Sequence, residues 1–186
     1  MSECNGDYVV LLHGLARSAR SMRPLQRRLD AAGFRVINLA YPSRRHSLER
    51  LAELVRAEVV AELPEGEGTP VHMVTHSMGG IVLRQIQNDD PLPGLRRVVM
   101  LSPTNQGSEV SDALRDWLLV RRLFGPAFRQ LGTDSETGPS RYGPVDFELG
   151  VVTGDRSINW INSFLFIPGP DDGKVSLDAA KVEGMR

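Results

Sequence analysis

The residues best suited to chemistry lie together in His76-Ser77-Met78-Gly79-Gly80, at the end of the apolar run Val71-His72-Met73-Val74-Thr75. Apolar residues recur beyond it at Ile81, Val82 and Ile86 with helical spacing, so the stretch reads as strand, sharp turn and helix. A serine at such a turn projects from the carboxyl edge of a sheet, where its hydroxyl is open to a base and to a substrate carbonyl. The Met78 amide falls in the first turn of the helix. Amides there have no partner within the helix and sit at the positive end of its dipole, as the stabilisation of an oxyanion requires. The same residue types also fit a plain structural role, because serine is a common N-cap and Ser77 could simply close the helix that starts at Met78.

The elements that must hold this turn can be read on both sides of it. Tyr8 to Leu12 is a continuous apolar run, as in a strand covered on both faces of a parallel sheet, and it leads into His13-Gly14-Leu15. Met22, Leu25, Leu29 and Ala32 fall at helical spacing, with Gly33 where a C-terminal cap belongs. Phe34 to Leu39 reads as a second strand, and Tyr41-Pro42-Ser43 turns the chain. Ser47 is a good N-cap for a helix carrying Leu48, Leu51, Leu54, Val55, Val59 and Leu63 on one side. After the helix that follows Ser77, Val98 to Leu101 is a fourth strand and Phe147 to Thr153 a fifth. Three strand–helix repeats in succession predict a parallel, wound α/β sheet. Between the fourth and fifth strands, Val110, Ala113, Leu114, Trp117 and Leu118 share one helical face and lead into Leu119, Leu123, Phe124 and Phe128.

At 186 residues the chain is long enough for one well-formed core. With 22 basic against 23 acidic residues it has no global field for nucleic acid. The cluster Arg17, Arg20, Arg23, Arg27 and Arg28 reads as a solvated helix face. A single cysteine, Cys4, permits no internal disulfide. No basic-then-apolar leader opens the sequence, and no apolar run approaches the roughly 20 residues that span a bilayer. The expectation is a cytoplasmic protein with no integral membrane segment.

His-Ser-Met-Gly-Gly resembles the nucleophile elbow of α/β-hydrolases, small bacterial lipases and esterases in particular, whose pattern is Gly-x-Ser-x-Gly. Thr75 stands here at the first glycine position. His13-Gly14-Leu15 resembles the loop that supplies the second oxyanion donor in that family, which carries over to the Leu15 amide beside that of Met78. Ser102-Pro103-Thr104-Asn105-Gln106-Gly107-Ser108 resembles the Thr-Pro-x-x-Gly-Ser segment of bacterial lipases. Asp172-Gly173-Lys174-Val175 resembles their acid-bearing turn, which makes Asp172 the expected acid, with Asp155 and Asp171 as alternatives.

The resemblance implies a wound, mainly parallel sheet of the α/β-hydrolase type in a minimal version that lacks the last strand and helix. It implies one domain over residues 1–186, with 107–145 as a helical, lid-like insertion. The implied activity is that of a serine hydrolase on carboxylic esters with small or medium acyl chains. Ser77 would attack, Asp172 would orient a histidine, and His13, Tyr41, Asn105, Trp117 and Phe124 would line the substrate. The partner is a small-molecule ester; no metal and no organic cofactor is implied. Acyltransferases and thioesterases use the same constellation and remain open as alternatives. In this family the histidine follows the acid in the chain, yet His13, His46, His72 and His76 all precede Asp172 and only fourteen residues follow it. The sequence therefore reads as C-terminally incomplete, with a non-catalytic hydrolase-fold binding protein as the rival reading.

Overall fold

The computed structural model describes residues 6–64, 69–114, 116–153 and 177–185. The apolar runs form β1 (Tyr8–Leu12), β2 (Arg35–Leu39), β3 (Val71–His76), β4 (Leu95–Leu101) and β5 (Glu148–Val152). They pair in parallel in the order β2-β1-β3-β4-β5. The order reverses direction between β1 and β3, and in open wound sheets the crevice at such a switch point is where ligands bind. β4 starts at Leu95, three residues before its apolar run, because a register shift between Val71 and Met73 lets the exposed Arg96 and Arg97 join the strand.

Side-chain alternation builds a core on each face. Val10 and Leu12 point to the side covered by α2 (Leu48–Glu62) and α3 (Met78–Asp89), where they meet Leu51, Val55, Val59, Ile81, Val82 and Ile86. Val9 and Leu11 point to the other side, against Met22, Leu25 and Leu29 around α1 (Arg23–Ala31). Ser47 caps α2 as its residue type predicts, accepting a hydrogen bond from the Arg50 amide.

Between β4 and β5 the expected apolar helical run is broken into α4 (Glu109–Leu114), α5 (Leu118–Phe124) and α6 (Pro126–Arg129). The second break has a local cause. Gly125 has φ 76° and packs on the backbone of Arg44, where a Cβ would lie 1.7 Å from the Arg44 carbonyl oxygen, and Pro126 follows it. Leu114, Val120, Phe124 and Phe128 form a small core of their own, packed against Leu15 and Ala16. Trp117, placed on that face by the sequence pattern, is exposed instead.

A polar clasp ties this segment to the sheet-covering helices. Arg141 donates to Glu49 of α2 at 3.0 Å and to Gln85 of α3 at 2.7 Å, while Gln130 donates to Glu49 at 2.8 Å. Burial works against a charged Glu49. The hydrogen bonds from Gln130, its own amide, Ser47 and Arg141 together outweigh it and bring the carboxyl down to about 2. The C-terminal α7 (Leu177–Ala180) and the residues after it dock beside β5, with Met185 bridging Leu149 in parallel. Among the described residues no helix is long and apolar enough to cross a membrane.

Candidate active site

β3 delivers Ser77 to the carboxyl edge of the sheet at the β1/β3 switch point. The Ser77 amide is tied to the Leu101 carbonyl at 2.9 Å, and its own carbonyl accepts from Gly80 at 2.9 Å. Between these anchors the backbone takes φ 50° and ψ −124°, a conformation that a residue with a Cβ holds only when its surroundings enforce it, at a cost of order 1–3 kcal/mol. Ser77 makes no side-chain capping bond to α3. Its hydroxyl has no hydrogen-bond partner among the described residues, and the side chain is half-buried. The helix-capping role is thereby removed.

The glycines around Ser77 are fixed by close approaches. A Cβ on Gly14 would lie 2.8 Å from His76 Nδ1 and 3.3 Å from Ser77 Cβ, so the loop leaving β1 rests directly on the turn leaving β3. A Cβ on Gly80 would lie 3.2 Å from Thr75 Oγ1 and 3.1 Å from Met100 Sδ. Thr75, the departure from Gly-x-Ser-x-Gly, is therefore accommodated by the second glycine of the pair. Its buried hydroxyl has no partner among the described residues. Thr75→Val removes an unsatisfied polar group at almost constant shape. Stability is expected to hold or to rise by up to about 1 kcal/mol, read from the urea midpoint; a loss above about 1 kcal/mol would show that the hydroxyl is engaged.

The loop from His13 to Arg17 is held from several sides. Tyr41 stacks on the His13 ring at 4.3 Å and donates its hydroxyl to the His13 carbonyl. Ser43 accepts from the Ala16 amide at 3.2 Å, and Arg17 closes a turn onto the Gly14 carbonyl at 3.2 Å. Ala16 sits within that turn at φ 53°. These bonds fix the loop that carries the Leu15 amide, and neither that amide nor that of Met78 has a hydrogen-bond partner among the described residues.

The expected site residues separate when placed. Ser77, Met78 and Leu15 meet at the switch point, and His13 and Tyr41 lie beneath them, both buried. Asn105 is fully buried: it donates to the Ala180 carbonyl at 2.9 Å and its backbone carbonyl accepts from Arg84 at 3.2 Å, so its polar groups are engaged within the fold. Phe124 belongs to the small core against Leu15, and Trp117 is 58% exposed. Asp155, Asp171 and Asp172 lie outside the described residues. Sequence reasoning passed over Ser102, which follows Leu101 as Ser77 follows His76 and shares its positive φ, at 46°. No local pattern announces a positive φ at a residue other than glycine.

The four histidines are dispersed. His72 pairs with Asp7 at 3.3 Å towards the amino end of the sheet, and His46 is half-buried in the turn before α2. Burial lowers the His13 imidazole below its ordinary value, with the carbonyls of Gly14 and Tyr41 opposing. Burial also lowers His76, assisted by the charges of Arg17 and His13. Two rings held neutral in the folded state and free to charge when unfolded make the unfolded chain the stronger proton binder below 6.5. Their contribution is complete above that value and is lost as the pH falls towards the folded values, by at most about 1.4 kcal/mol per pH unit for each ring. Urea midpoints should fall between pH 7.5 and 5.5, and His76→Gln should flatten that dependence.

Residues 9–170 match the model of the alpha/beta hydrolase family. The chain belongs to that family. Its fold is shared with the mature lipase BlEst2 of Bacillus licheniformis (TM-score 0.68, 19% identity, covering 95% of this chain and 79% of that one). It is shared too with the phospholipase PlaB of Legionella pneumophila (TM-score 0.60, 18% identity, covering 95% and 45%). A candidate thioesterase from Silicibacter sp. tm1040 is also similar (TM-score 0.54, 23% identity, covering 80% and 57%). The hydrolase chain thus spans little more than half the length of the thioesterase and less than half that of the phospholipase. Comparison with curated proteins gives no match.

Proposed function

We propose that this α/β-hydrolase is a serine esterase, with Ser77 as nucleophile and the amides of Leu15 and Met78 as oxyanion donors. The observation that carries the reading is the Ser77 backbone at φ 50°, ψ −124°, with a hydroxyl that caps nothing at the N-terminus of α3. The Ser77 hydroxyl would add to an ester carbonyl as its proton passes to a histidine. The tetrahedral oxyanion would be held by the two amides, the alcohol would leave with that proton, and water would then release the acyl group. None of the four histidines is hydrogen-bonded to Ser77 among the described residues; in this reading Asp172 orients the ring that takes the proton. Acyl chains of short to medium length would lie against the half-buried Leu15, with Phe124 packed behind it. Thioester cleavage would use the same groups.

The test is exposure to a fluorophosphonate followed by mapping of the modified residue. Modification at Ser77 is the expected outcome, and it is expected to be slow in the 186-residue chain because no imidazole is bonded to the hydroxyl. A folded chain whose Ser77 stays intact after prolonged exposure would overturn the proposal. Rapid labelling lost in His13→Ala or His46→Ala would assign the base to that ring.

A further inference from the structure

Four of the six exposed large hydrophobic side chains among the described residues lie on α5 or just before it: Trp117, Leu118, Leu119 and Leu123, at 58, 79, 76 and 46% exposure. Packing of α5 does not account for them. Its inward face is already supplied by Val120 and Phe124, one turn apart, which bury against Leu15 and Ala16. Exposed Arg121 and Arg122 lie among the leucines, and Gly125 at the end of the helix rests on Arg44, which is exposed together with Arg45. None of these four arginines makes an ion pair or side-chain hydrogen bond among the described residues.

We propose that Trp117 and α5 dock on an anionic phospholipid surface. Leucines on the outer face of a short amphipathic helix enter the acyl boundary, an indole sits at headgroup depth, and guanidinium groups meet phosphates. The charges favour this occupant over a second copy of the chain, since a two-fold contact through this face would bring Arg121 and Arg122 against their own counterparts. The shape favours it over an acidic protein. Leu118 and Leu119 project from a helix end, with about three-quarters of each side chain in solvent, and a fluid surface takes such projections without a complementary groove. Because α5 rests on the loop beside Ser77, docking would hold the mouth of the crevice against the lipid. That consequence rests on the esterase reading; the docking itself does not.

The experiment is co-sedimentation of the 186-residue chain, carrying Ser77→Ala so that no lipid is turned over, with vesicles of phosphatidylcholine alone or mixed with an equal part of phosphatidylglycerol. Binding should require the anionic lipid. It should weaken about tenfold or more in Leu118→Ser/Leu119→Ser. Arg121→Gln/Arg122→Gln should weaken binding to the anionic vesicles about thirtyfold. Both pairs are exposed, so their melting curves should match the parent. No sedimentation with anionic vesicles, equal binding to both kinds, or indifference to either pair of substitutions overturns the proposal. So does a concentration-dependent dimer abolished by Leu118→Ser/Leu119→Ser, which would assign the patch to a second copy. Vesicle binding and fluorophosphonate labelling are independent readouts, so either reading can fail while the other stands.

Discussion

In a form of the protein in which a histidine serves Ser77 as base, Ser77→Ala is expected to lower ester hydrolysis by on the order of 10⁴-fold or more, with KM little changed, leaving only what the oxyanion donors and substrate binding supply. Alanine keeps a Cβ at φ 50°, so the variant should be about as stable as the parent. Ser77→Gly separates strain from chemistry. Glycine adopts positive φ without the steric cost, so this variant should be equally inactive yet more stable, by about 1 kcal/mol, on urea unfolding. Hydrolysis and labelling retained in Ser77→Ala would place the nucleophile elsewhere, and the neighbouring strand end at Ser102, with its own φ of 46°, would then be the first position to substitute. An unchanged stability in Ser77→Gly would show instead that the surroundings relax at no cost and that the backbone is not held under strain.

The parts of the fold that were legible in the sequence are those where burial dictates residue type over several positions. Tyr8 to Leu12 is buried on both faces, and Val71 to His76 is buried on one face and half-buried on the other, so their runs match the strands almost residue for residue. Ser47 and Gly33 were legible as caps because their roles are local. The segment from Val110 to Leu131 was not, since its hydrophobicity serves two surfaces. Leu114, Val120, Phe124 and Phe128 fill a core, while Trp117, Leu118 and Leu119 face outward, and a single helical stripe cannot distinguish them. Asn105 illustrates a second limit. Its residue type and its loop at the sheet edge suit a substrate contact equally well, and only the positions of Arg84 and Ala180 show its amide to be occupied within the fold. At the site itself the sequence indicated the serine and its glycines, because the close approach of backbones selects glycine. The strain at Ala16 and Ser102 left no such trace.

Gly79→Ala is expected to damage both stability and turnover, and the geometry says why it should do so more than Gly80→Ala. A Cβ at position 79 would lie 2.8 Å from the Leu12 carbonyl oxygen, 3.0 Å from that of His13 and 3.1 Å from Leu12 Cβ. Leu12 belongs to β1, which is paired on one side with β2 and on the other with β3, so those backbone atoms cannot yield without disturbing three strands. The first turn of α3 must move away instead. Overpacking of this kind costs about 1–3 kcal/mol, and alanine regains up to about 1 kcal/mol of helix propensity, which leaves a net loss of about 1–2 kcal/mol on urea unfolding. The same movement carries the Met78 amide and Ser77 away from the Leu15 loop, and a displacement approaching 1 Å at reacting groups lowers turnover by about 10²-fold. At position 80 the nearest atoms belong to side chains, Met100 Sδ at 3.1 Å and Thr75 Oγ1 at 3.2 Å. Methionine can repack and the Thr75 hydroxyl can be removed, so Gly80→Ala should cost less alone and become almost neutral when combined with Thr75→Ala. Gly79→Ala should gain nothing from that second substitution. If instead both glycine variants were rescued by Thr75→Ala, the tight contact would lie between the helix and the β3 side chain, and β1 would have no part in setting the position of Ser77.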